Sequence, residues 1–106
     1  MTKSPIDIHN DAVAAAQSAE AQFRAQHGEP SYCGFAWVTI RPATSKFARA
    51  LKAAGVAKKA YGGGLQVWNP GGSFTQSMDI KEEGARAYAD VLRAAGIDAY
   101  AQSRAD

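Results

Sequence analysis

The sequence predicts an α+β domain of the ferredoxin-like type, a β-α-β-β-α-β sandwich behind an extra N-terminal helix. Three observations predict it: an internal repeat, two amphipathic helical stretches that each close on a glycine, and aromatic or β-branched stretches flanking them. The repeat aligns Phe47–Val56 with Tyr88–Ile97 at an offset of 41 residues, with five of ten positions identical. The same offset lays the stretch at Tyr32 over the stretch at Ser73, so the chain reads as two βαβ units. A solenoid would need at least about three such units, so two imply a closed pseudo-twofold domain. At 106 residues the chain holds one core, divided into an N-terminal helix over 1–28 and a ferredoxin-like core over 32–106.

Each element has local reasons. Ser4-Pro5-Ile6-Asp7 starts a helix, with Ser as cap, Pro in the first turn and an acid three residues on. Ile8, Ala12, Ala15, Ala16, Ala19 and Phe23 recur at helical spacing, and Gly28 with Pro30 ends the segment. Tyr32–Arg41 has strand composition and stops at Pro42. Thr44 or Ser45 caps a short helix carrying Phe47, Ala50, Leu51 and Ala54, closed by Gly55. Val56–Tyr61 and Leu65–Trp68 read as extended, with Gly62-Gly63-Gly64 between them as a bulge, bend or turn. Asn69-Pro70-Gly71-Gly72 is a turn, and Ser73–Asp79 reads as the strand that returns from it. Asp79-Ile80-Lys81-Glu82 matches a capping box for a third helix, whose apolar positions are Tyr88, Val91, Leu92 and Ala95. Ile97–Ser103 is the last strand.

Composition bounds the function. Of the 46% apolar residues, 23 are alanine, so few large groups remain for the core and helices must approach closely. A formal charge of +2 gives no bulk attraction for nucleic acid and leaves room only for a local basic patch. The longest apolar runs fall far short of the roughly 20 residues of a membrane span, and the N-terminus lacks the pattern of an export signal. Cys33 is the single cysteine, which with the missing signal points to a reducing cytoplasm. His9 and His27 lie away from any second cysteine at metal spacing, so neither a metal nor a cofactor is expected.

Strand alternation locates the working face. In the first strand Gly34, Ala36, Val38 and Ile40 suit the side under the helices, while Phe35, Trp37 and Arg41 look the other way. In the last strand Tyr100, Gln102 and Arg104 look out, as do Gln66 and Trp68 from Leu65–Trp68. These eight residues form the candidate ligand site. Rings with guanidinium and amide groups are the ingredients for stacking a base and holding a phosphate, as RNA-recognition domains of this fold do. The bland alternative is burial of the same rings, under the N-terminal helix or in a symmetric homodimer. Elsewhere the chemistry is thin. Tyr61–Leu65 can present N–H groups to an anion, but no Lys-Ser/Thr follows and a bulge explains it better. Ser77, leading into the third helix, can hold an anion or simply cap it. Cys33 with His27 suggests a thiol nucleophile that nothing orients, and no acid/base pair stands out, which leans away from an enzyme.

Several stretches resemble a group of small uncharacterised bacteriophage proteins: Cys33–Val38, Gly63–Trp68, Gln76-Ser77-Met78 with Lys81-Glu82, and Gly96–Ala101 with Ser103-Arg104. The resemblance covers about residues 32–106. It implies a phage-encoded protein in the host cytoplasm and attaches no activity. A second resemblance, to peptidoglycan-binding SPOR domains, rests on the βαβ-βαβ layout and the Ala-Gly helix ending; the missing export signal opposes it. The reading that results is a non-enzymatic binding module for a nucleotide or single-stranded nucleic acid, such as a host signal nucleotide. Its alternatives are an inhibitor of a host protein or a structural homodimer using the same face, and a small enzyme using Cys33.

Overall fold

The computed structural model describes residues 3–60, 62–73, 75 and 77–105. Along the chain run α1 (Pro5–His27), β1 (Gly34–Arg41), α2 (Lys46–Ala53), β2 (Lys58–Lys59), β3 (Leu65–Trp68), α3 (Met78–Ala94) and β4 (Asp98–Ala105). The fold is α+β, with a four-stranded antiparallel sheet in the order β2-β3-β1-β4. No helix among the described residues is long and apolar enough to cross a membrane.

The helices begin where side-chain oxygens can take up orphan N–H groups. The Ser4 hydroxyl accepts from the Asp7 N–H at 3.1 Å, and the Ser45 hydroxyl accepts from the Ala48 N–H at 3.1 Å. Ser45, not Thr44, is therefore the cap of α2. The core lies between sheet and helices. Val38 and Ile40 of β1, Leu65 of β3, Leu51 of α2 and Tyr88 and Leu92 of α3 are buried together. Alanines at Ala12, Ala16, Ala85 and Ala89 let α1 approach α3 closely. His9 of α1 shares a 2.7 Å hydrogen bond with the Tyr88 hydroxyl inside that contact. Burial lowers the His9 pKa and raises that of Tyr88, so His9 sits there as a neutral ring.

Three expectations need correction, and one left open is resolved. The described residues of Ser73–Asp79 form no strand: among them Ser77 meets Cys33 at an isolated bridge, and helix already begins at Met78. Both sheet positions beside β1 are taken, by β3 and β4, so no ladder is open to this segment. The 41-residue offset therefore matches the helices, and β2 with part of β4, but gives β1 no counterpart strand. The cap of α3 is Ser77 rather than Asp79, and the box with Glu82 does not form; Glu82 instead accepts from the Ser103 hydroxyl at 2.5 Å. Of the bulge, bend or turn expected for the glycine run 62–64, the structure has the turn of the β2–β3 hairpin, with Ala60 N–H donating to Gly64 O and Gly63 N–H to Ala60 O. Finally, the buried stripe of α1 is His9, Ala12, Ala16 and Glu20, with two polar members that apolar periodicity passes over. Tyr61, Phe74 and Gln76, which figured in the extended and anion-loop readings, lie outside the described residues.

Candidate functional site

The helices all lie on one side of the sheet. α3 packs on β1 and β4, α2 contributes Phe47, Ala48 and Leu51 to the same core, and α1 packs on α3 and α2 rather than across the opposite face. No described helix covers that face.

Register brings the predicted residues together on it. Phe35 stands opposite Arg104, Trp37 opposite both Gln102 and Trp68, Thr39 opposite Tyr100 and Gln66, and Arg41 opposite Asp98. Directly paired residues share a face, with Cβ atoms about 4.5–5.5 Å apart. The rings of Trp37 and Trp68 stack at 4.7 Å and 27°, and Phe35 meets Trp68 edge-on at 6.3 Å. The Trp37 indole N–H donates to Gln102 Oε1 and the Trp68 indole N–H to Gln66 Oε1, both at 3.0 Å. The Thr39 hydroxyl also donates to Gln102 Oε1, at 2.5 Å. The two glutamines thus hold both indoles in place and occupy their only polar atoms. Phe35 is 38% exposed and Trp68 44%, so an apolar, pre-oriented surface is left for a planar group.

Cations frame the rings. The Arg41 guanidinium lies 5.6 Å from the Tyr100 ring centroid, and Arg104 stands beside Phe35. Two further cations were not legible in the strands carrying the rings. Lys81, from the first turns of α3, donates to the Gly34 carbonyl at 3.1 Å and places its ammonium 5.3 Å from the Phe35 ring. Lys58 stands opposite Gln66 in the β2–β3 pair and so shares its face. Lys58 follows from hairpin register once the glycine turn is placed; Lys81 depends on where α3 docks, which no local pattern encodes.

A separate cleft of about 850 Å³ opens where the end of α1, the start of β1 and the start of α3 converge. Arg24, Glu29, Ser31, Cys33, Ser73, Thr75 and Ser77 line it. Arg24 reaches Glu29 at 3.4 Å and the Ser73 hydroxyl at 3.0 Å. A hydrogen bond from Thr75, reinforced by Arg24, holds the Glu29 carboxyl below its usual pKa. The Cys33 thiol donates to the Ser31 carbonyl at 3.4 Å, and His27 packs on Phe23 at 4.7 Å. The ring of His27 is thus engaged within α1 itself. Among the described residues no group of three or more His, Cys, Asp or Glu is placed to hold a metal.

Comparison with known proteins gives no match to a family model, to a curated protein or to a solved structure.

Proposed function

We propose that the protein is a non-enzymatic binding module that holds a nucleotide or a short single strand of nucleic acid on the open sheet face, in a fold read as ferredoxin-like. The observation that carries the reading is the arrangement around Trp68: an exposed indole, fixed by Gln66 and stacked on Trp37, inside a ring of cations. Stacking is indifferent to base identity and contributes about 1–3 kcal/mol per base. Arg41, Arg104, Lys58 and Lys81 supply the counter-charge for phosphates. The resemblance to phage proteins adds a setting, the host cytoplasm, in which a host signal nucleotide is a natural occupant.

A second reading has its own support. Both indole N–H groups are already satisfied within the chain, so the exposed rings suit an apolar protein partner as well as a base. Titration of the full chain with a mononucleotide mixture and with a short oligothymidylate, read by tryptophan fluorescence, separates the two. Quenching with either ligand, lost in Trp68→Ala with an unchanged circular dichroism spectrum, is the expected result. The loss should be tenfold or more, the equivalent of one stacked base. An unresponsive wild-type protein would reject the nucleotide reading.

A further inference from the structure

β4 is an edge strand of eight residues, and among the described residues no strand pairs along its outer side. Hydrogen-bond parity shows which backbone groups it offers. The Asn69 N–H donates to the Ala36 carbonyl, so even-numbered residues of β1 point their backbone at β3 and odd-numbered ones at β4. Phe35, Trp37, Thr39 and Arg41 therefore bond Arg104, Gln102, Tyr100 and Asp98. The N–H and C=O groups of Ala99, Ala101 and Ser103 then point outward. Arg93 confirms this from the other side, donating to the Ala99 carbonyl at 2.8 Å.

Natural edges are usually blunted by Pro, Lys, a bulge or shortness. β2, at the other edge, follows that rule with two residues, both Lys. β4 does not. Its outward-bonding positions are Ala99, Ala101 and Ser103, small enough to admit a neighbour. Its charges, Asp98 and Arg104, lie on the open face six residues apart, with Ala101 midway between them.

From these observations we infer that β4 pairs antiparallel with β4 of a second copy, about a twofold axis at Ala101. In this register Ala101 faces Ala101 of the second copy and Ala99 faces Ser103, so the outward N–H and C=O groups of these three residues meet complements. Asp98 falls directly opposite Arg104 of the second copy, twice by symmetry. Shifting the twofold by one residue sets Asp98 against Gln102, or Arg104 against Tyr100, and loses both ion pairs. Arg93 does not block the register, because a carbonyl oxygen has a second lone pair. Residues directly opposite share a face, so the two aromatic surfaces lie on the same side of one eight-stranded sheet. This inference is independent of what that surface binds.

The test is the oligomeric state of the full chain by sedimentation across micromolar to millimolar concentration. A dimer is expected, with a dissociation constant raised roughly tenfold in Asp98→Arg and in Arg104→Asp, and restored in the double exchange. Ala101→Pro removes a central outward N–H that the monomer does not use. Checked by circular dichroism for an intact fold, it should be monomeric throughout. A wild-type protein that stays monomeric overturns the inference. So does a dimer indifferent to all the charge exchanges, or one lost instead in Trp68→Ala, which would place the contact on the open face.

Discussion

Glu20 is the residue most at odds with its surroundings. It is 4% exposed on the buried side of α1, its Oε2 has no hydrogen-bond partner, and burial pushes its carboxyl pKa up to about 7 despite Arg24 and Lys81 nearby. A carboxyl with a raised folded pKa keeps its proton in the native state while the unfolded chain releases it. Stability is therefore fullest below the ordinary glutamate range and is lost as pH rises toward about 7. Each pKa unit corresponds to about 1.4 kcal/mol, so ionising Glu20 in place costs on the order of a few kcal/mol. Glu20→Gln should remove that cost. Urea unfolding should show the variant clearly more stable than wild type at pH 8 and near parity at pH 4. A difference that does not change with pH would mean that the carboxyl is solvated or paired. His9 acts in the opposite sense: its lowered pKa means that the α1–α3 contact weakens as pH falls below the usual histidine range.

At the scale of elements, α3 shows how much of the fold was legible. Its apolar positions and its glycine ending were, because helical periodicity is local. Its start was legible only as a choice between Ser77 and the Asp79 box, because Ser77 is set by a tertiary bond, the Met78 N–H to the Tyr32 carbonyl at 2.8 Å, rather than by a side-chain cap. Nor was Gly84 legible. A glycine inside a helix costs about 1 kcal/mol relative to alanine, and the sequence offers no reason for it. The structure does: a Cβ there would run into the buried Glu20 carboxyl group. Gly84→Ala, which helix propensity alone would favour, should instead destabilise by about 1–3 kcal/mol. Combining it with Glu20→Ala should recover most of that loss, because the two share one space. Additive effects in a thermal-melt double-mutant cycle would disprove the contact. The site reads the same way. Alternation in β1, β3 and β4 puts the eight candidate residues on one sheet face, since period two survives any docking of helices. Lys81 reaches the face only through the way α3 packs.

For the molecule as a whole, charge placement matters more than net charge. The formal excess is only +2, yet the described ion pairs, Lys3–Asp11, Arg24–Glu29, Arg86–Glu83 and Arg93–Asp90, use none of the cations around the rings. Those pairs lie on the helices and on the segments just before and after α1. The charge on that face is Arg41, Arg104, Lys58 and Lys81 against Asp98, so a nearly neutral chain presents one basic surface. Its field is short-ranged at physiological salt, falling off over about 8 Å, so phosphates feel it only in contact. Binding of an oligothymidylate should therefore weaken with salt in proportion to the phosphates neutralised, at about −0.7 per phosphate in the log–log slope. Engagement of all four cations predicts a slope of roughly −3. Lys58→Ala and Arg104→Ala should each make the slope shallower by somewhat less than one, while Trp68→Ala lowers affinity and leaves the slope unchanged. Fluorescence titrations from 50 to 400 mM salt, on the order of a threefold change in screening length, resolve slopes of this size. A slope near zero for tight-binding wild-type protein would mean that the rings alone hold the ligand and that the surrounding cations serve some other contact.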